Sequence, residues 1–130
     1  MNRRTAREKG IQALYQMDLS GAESAEAVAN VLEDSDSDSS YLREIVTGVE
    51  QHREEIDTII KNNLEKWSFE RLAKVDRNIL RLAVYEMQYS DDVPAKVAVN
   101  EAIELAKYFS DERAGKFING VLSKINQSMD

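Results

Sequence analysis

Apolar residues recur along this chain with the period of a helix, and no stretch alternates as a half-buried strand does. In Arg3 to Leu19, Ala6, Gly10, Ala13, Leu14 and Met17 fall on one face. Ala22 to Leu32 reads as a short, weak helix with Ala25, Val28, Ala29 and Leu32 on one side. After a polar interval, Ser40 is placed to cap a helix carrying Tyr41, Leu42, Ile45, Val46 and Val49. Gly48 in that helix suits close packing against a neighbour. Ile56, Ile59, Ile60 and Leu64 continue the stripe towards Trp67, with a break expected near Gln51–Arg53.

The stretch Trp67 to Tyr89 differs from the rest. Val75, Ile79, Leu80, Leu82, Ala83, Val84 and Met87 cover most of a helix circumference, and Arg77, Arg81 and Glu86 leave a narrow strip that reads as wet. Such a helix is normally wrapped by others. Ser68 can cap it at the start, or a break near Lys74–Asp76 can leave Asp76 as the cap of a second helix; both remain open. Ser90 to Pro94 is a turn, and Pro94 suits the first position of a helix. That helix has Val99, Ala102, Ile103 and Ala106 as its buried stripe and ends near Tyr108. Ser110 or Asp111 opens the last one, which carries Phe117, Ile118, Val121, Leu122 and Ile125 to about Asn126. Gly120 inside it costs about 1 kcal/mol relative to alanine, so another backbone is expected to approach closely there. The pattern is all-α, with six or seven helices joined by short connections.

Charge changes the picture more than composition does. The net charge of the 130 residues is −7. Between Ser20 and Asp57, however, eleven acidic residues face only Arg43 and Arg53, so the remainder of the chain is slightly positive. Glu33 to Ser40 contains no apolar residue and is expected to be a mobile, solvated loop. Its alternate aspartates do not make a calcium loop. Counted from Asp34, the required glycine and glutamate positions hold Ser39 and Ile45.

Arg3, Arg4 and Arg7 fall within an arc of roughly 100° at the start of the first helix. Cations there oppose the helix macrodipole, so an external anion is one explanation; three solvated arginines are the other. Tyr15, near them, can stack on a base, although its spacing favours the core.

The chain has no cysteine and one histidine, His52, which lies among charged residues and reads as a solvated surface group. A disulfide framework, a histidine metal cluster and a serine–histidine site are therefore excluded. No glycine-rich phosphate loop is present. No carboxylate pair stands out, and no enzyme activity and no cofactor are expected. No apolar run approaches the roughly 20 residues of a membrane span, and the start lacks the apolar segment of a signal peptide. A cytoplasmic location is expected.

Four blocks, Arg3–Asp18, Arg71–Met87, Asp92–Phe109 and Lys116–Ile125, together and in order resemble the NusB family of bacterial transcription antitermination factors. Two departures are Gly10, where the family usually has alanine, and Ser123, where it often has aspartate. They bear on local helix stability. The resemblance implies a single domain over residues 1–130. Its two small helical bundles pack around a buried central helix. It implies binding of single-stranded boxA RNA in ribosomal RNA leaders together with a small-subunit ribosomal protein, NusE, inside an RNA polymerase antitermination complex. Carried over by position, Arg3, Arg4, Arg7, Tyr15, Lys116, Phe117 and Asn119 would contact RNA, with Phe117 exposed enough to touch a base. Asp76 would face NusE. The competing reading is an acidic helical adaptor that joins proteins and does not recognise RNA. The RNA-binding appendage of a ribosomal RNA cytosine methyltransferase, which shares the fold, is a third; the chain has neither catalytic domain nor cofactor motif to support it.

Overall fold

Asn2 begins the first helix: its side chain accepts the Thr5 amide at 2.8 Å, which satisfies one of the free amides of the opening turn. In the computed structural model, which describes residues 1–129, this helix is α1 (Arg3–Ser20). It is followed by α2 (Ser24–Val31), α3 (Ser40–Gln51), α4 (Arg53–Asn62), a 3-10 turn at Phe69–Arg71, α5 (Lys74–Tyr89), α6 (Ala95–Phe109) and α7 (Glu112–Ser128). Among the described residues there is no strand. Gly21 ends α1 in the left-handed region at φ 73°, where it has no Cβ to clash. Asp111 caps α7 by accepting the Ala114 amide at 2.8 Å.

α1, α2 and α3 pack together, α6 and α7 pack together, and α5 lies against α1, α3, α4, α6 and α7. Two small bundles thus share α5, as expected from its circumference. Ile79, Leu80, Leu82 and Val84 are almost wholly out of water. Each contributes about 1.5–3 kcal/mol by burial. Gly48 meets the ring of Tyr85, and a methyl group there would overlap it. At Gly10, a Cβ would come within 2.9 Å of Ile45.

The structure corrects several local expectations. Trp67 to Tyr89 is not one helix. The break is real, but Asp76 does not cap α5: Ala73 holds that position without a side-chain bond, and Ser68 caps nothing. Ser40 is the first residue of α3, not its cap, and Asp38 takes its amide at 3.0 Å. The buried face of α6 is Ala98, Ala102, Leu105 and Ala106, while Val99 and Ile103 are only half-buried. His52 is stacked on Tyr89 with ring centroids 3.9 Å apart. The acidic loop is tethered. Lys9 donates to the Val31 carbonyl at 3.1 Å and pairs with Asp36 at 3.3 Å, and the Met1 ammonium donates to Ser37 Oγ at 3.0 Å.

The strip read as wet on α5 is the largest correction. Arg81 is 5% exposed and Glu86 1%. Arg81 donates to both oxygens of Asp57, at 2.8 and 3.0 Å, and to Asp18. Asp18 also accepts from Arg77 at 3.2 Å, Asn78 at 2.9 Å and, at longer range, Arg53. Buried charge is tolerable here because each ion is paired and hydrogen-bonded.

Candidate nucleic-acid and partner interface

The first turns of α1 aim Arg3, Arg4 and Arg7 at carboxylates from the second bundle. Arg3 donates to Asp92 at 2.6 Å and lies over the Tyr41 ring, 4.3 Å from its centroid. Arg4 bonds both oxygens of Glu101, at 2.7 and 3.4 Å. Arg7 bonds both oxygens of Glu86 at 3.0 Å and reaches Glu101 at 3.2 Å. The Tyr41 hydroxyl also donates to Glu86. Burial, and then that bond, push the Tyr41 phenol above its ordinary value, so it stays a donor. An external anion is therefore not needed to explain the cluster, because the fold supplies three anions itself.

The three arginines also do not form one surface. Arg3 and Arg4 are exposed, but Arg7 is 4% exposed and committed to Glu86 and Glu101. Arg7 positions the helix that carries the other two. Beside them, Arg4, Glu8, Glu101, Glu104 and Tyr108 line a cleft of about 220 Å³ between α1 and α6. Tyr15 is 37% exposed, contrary to the expectation of a core position. Eleven residues beyond Arg4, it lies on the same side of α1, about 16 Å along.

The second group lies on α7. Lys116 and Asn119 are exposed, and Phe117 is half-buried. The structure adds a residue that the resemblance did not include. Trp67, 61% exposed, stands edge-on to Phe117 with ring centroids 5.9 Å apart. Together the two rings separate two clefts. One, about 350 Å³, is bordered by Lys66, Lys116, Gly120 and Lys124. The other, about 280 Å³, is bordered by Arg71, Asp76, Asp111 and Arg113. Trp67 sits in an irregular connection, where no periodicity distinguishes a surface ring from a buried one; its flanking Lys66 was the only signal. Gly120 has nothing within 4 Å of where a Cβ would be, so the expected close approach of another backbone is absent.

Asp76 lines the second cleft. It is half-buried, and its Oδ1 has no hydrogen-bond partner. Burial, and then the charge of Asp111, raise its carboxyl above the ordinary 3.8. A carboxylate whose folded value is raised lends stability at low pH and loses it as pH rises through that value, so ionised Asp76 costs the fold at neutral pH. Asp76→Asn is therefore expected to leave thermal stability unchanged or to raise it slightly, by no more than about 0.5 kcal/mol. A clear loss of stability at neutral pH would show that Asp76 supports the helix after all. The arrangement suits a cation brought from outside.

Among the described residues no metal-ligating cluster is present, and no helix is long and apolar enough to cross a membrane. The NusB family model matches residues 4–127. A transcription antitermination protein NusB from Geobacillus kaustophilus is 52% identical over 129 residues, covering 99% of this chain and 98% of the relative. One from Bacillus cereus is 50% identical over 130 residues, covering 99% and 100%. Among solved structures, NusB of T. maritima superposes with a TM-score of 0.91 at 35% identity, covering 98% of this chain and 92% of that one. The crystal structure of antitermination factors NusB and NusE in complex with double-stranded RNA gives 0.88 at 36% identity, covering 97% and 96%. On the extent of these matches and the shared all-helical architecture, the chain belongs to the NusB family of transcription antitermination proteins.

Proposed function

We propose that this chain binds single-stranded boxA RNA of ribosomal RNA leader transcripts jointly with the ribosomal protein NusE, and so helps RNA polymerase read through terminators. The observation that carries this reading is the likeness, over nearly the whole chain, to a NusB solved with NusE and double-stranded RNA; the single-stranded boxA form is this reading's own step. Arg3, Arg4, Lys116, Phe117, Asn119 and Tyr15 all present at least part of their side chains to solvent, as RNA contact requires. Asp76 is the residue assigned to NusE, because its unsatisfied carboxylate gains by meeting a basic side chain. Arg7 has a supporting role.

Binding by the chain alone is weak in this reading. The net charge is −7, and a phosphate must displace Asp92 or Glu101 to reach Arg3 or Arg4. NusE supplies the missing surface. The test is a titration of labelled boxA RNA with and without NusE, for the wild type and an Arg3→Gln/Arg4→Gln variant. The variant should bind RNA at least about ten-fold more weakly, with the log–log salt slope reduced by roughly 0.7 for each phosphate that is no longer neutralised. Equal affinities and slopes would remove these arginines from the site. Asp76→Lys should weaken NusE binding far more than Asp76→Asn.

The internal pairing of all three arginines favours one other reading, a protein adaptor without direct RNA recognition. In that case NusE would bind, and boxA RNA would not shift this chain alone at any salt concentration.

A further inference from the structure

The cations at the start of α1 are neutralised within the fold, whereas most of those around Trp67 are not: of the five bordering its clefts, Lys124 alone is paired among the described residues, with Glu65 at 2.7 Å, and Asp76 and Asp111 line the second cleft without bonding its arginines. Lys66, Arg71, Arg113 and Lys116 have no carboxylate partner among the described residues, and all four border the two clefts that Trp67 and Phe117 divide. In a chain of net charge −7, this is where uncompensated positive charge and an exposed aromatic face coincide. Trp67 is 61% exposed, and its ring stands at 74° to that of Phe117, so the two are not stacked face to face and most of the indole remains open. A mostly exposed indole contributes little to the fold, and the contact with Phe117 restricts its orientation.

Gly120 completes the geometry. It lies one turn beyond Lys116 on the same side of α7 and borders the same cleft as Trp67. A Cβ there would meet nothing, so the glycine does not serve packing within the chain. It leaves bare backbone at the wall of the cleft facing the ring. A flat group entering the cleft can rest on that wall while its charged backbone meets Lys66 and Lys116.

We infer that Trp67, Gly120 and Lys116 form a subsite for one unstacked nucleobase of single-stranded RNA, with the base against the indole and the adjoining phosphate at Lys66 or Lys116. Stacking on an aromatic side chain with cations along the backbone is the general means by which single strands are held. The inference rests on the RNA reading above and adds to it a position and a stacking residue. Double-stranded RNA, whose bases are already stacked on one another, does not fill this subsite.

Trp67 is the sole tryptophan, so its fluorescence reports on the subsite directly. The experiment titrates end-labelled single-stranded boxA RNA into the full chain and follows two signals, anisotropy of the RNA label and emission of Trp67. Quenching of Trp67 with the same midpoint as the anisotropy change is expected. Trp67→Ala should bind about ten-fold more weakly, and Trp67→Phe, which keeps a smaller ring, should recover part of the loss. Gly120→Leu adds bulk at the wall from a Cβ position with nothing within 4 Å. It should weaken binding to a similar degree and leave the circular-dichroism melting curve no lower.

Several results would overturn the subsite. One is RNA binding that still depends on Arg3 and Arg4 but leaves Trp67 emission and the Trp67→Ala affinity unchanged; the RNA reading then stands and only the subsite falls. Another is equal quenching by the duplex form of the same RNA. A third is quenching by NusE with no RNA present, which would give the cleft to the protein. Failure of any RNA to bind, with or without NusE, removes both the reading and the subsite.

Discussion

Arg7→Ala should destabilise the chain by about 3–5 kcal/mol, the usual consequence of removing one partner from a buried ion pair. Glu86 is 1% exposed; its two oxygens share the Arg7 Nε–H, and one of them also accepts from Tyr41. Without Arg7, a carboxylate on the central helix keeps a single hydroxyl donor and no counter-ion. Total stabilities of domains lie near 5–15 kcal/mol, so the variant would lose a large share of its own. Chemical denaturation at neutral pH measures the loss. Arg7→Lys should recover little, because a single ammonium does not hold Glu86 and Glu101 together as the guanidinium does through Nε and Nη1. Arg7→Ala/Glu86→Gln should recover more, since the stranded charge is gone. A loss below about 1 kcal/mol in the single variant would mean that Glu86 finds water or a proton, and that Arg7 is free to serve elsewhere. The same experiment separates support from contact: RNA binding by the folded fraction should persist.

Asp18→Ala is expected to cost about 3 kcal/mol, with a pH signature. Asp18 accepts from Arg77, Asn78 and Arg81 and pairs with Arg53, so it joins the end of α1 to α4 and α5. Its loss leaves Arg81, itself 5% exposed, with Asp57 as its one counter-ion. Burial pushes the Asp18 carboxyl up, but the Asn78 bond and the charges and bonds of Arg81 and Arg77 outweigh it, so its folded value lies below 3.8. A group of this kind lends stability that is complete above the unfolded value and disappears as pH falls through the folded one. The difference in urea midpoint between wild type and Asp18→Ala should therefore be full at neutral pH and shrink below 3.8. A difference that stays constant through acid would show that Asp18 acts by packing and not by charge.

The helices were legible because burial repeats with their period. Ile79, Leu80, Leu82 and Val84 mark α5 as central from spacing alone, and Gly48 announced its close contact with Tyr85. Charged positions were not legible in the same way. Arg7, Arg81 and Glu86 read as solvent-facing because a charge is usually solvated, and their partners lie far along the chain: Glu86 is 79 residues from Arg7 and Asp18 is 63 from Arg81. Only the fold brings such ions together. In the candidate site the resemblance implies Lys116, Phe117 and Asn119 for RNA and Asp76 for the partner, and the structure shows the first three at least partly exposed. The resemblance could not show that Arg7 is withdrawn from the surface or that Asp76 lacks a bond. Trp67 stands outside any helix, where spacing says nothing of exposure, and Gly120 lacks the internal neighbour that a glycine within a helix leads one to expect.

Because α5 belongs to both bundles, its amides cannot open by detaching one bundle while the other stays whole. Hydrogen exchange in the middle of α5 then proceeds only when the entire molecule unfolds, so its slowest amides read the global free energy. A lesion at the Arg7 end should therefore speed the exchange of these α5 amides as much as one of equal size at the Trp67 end.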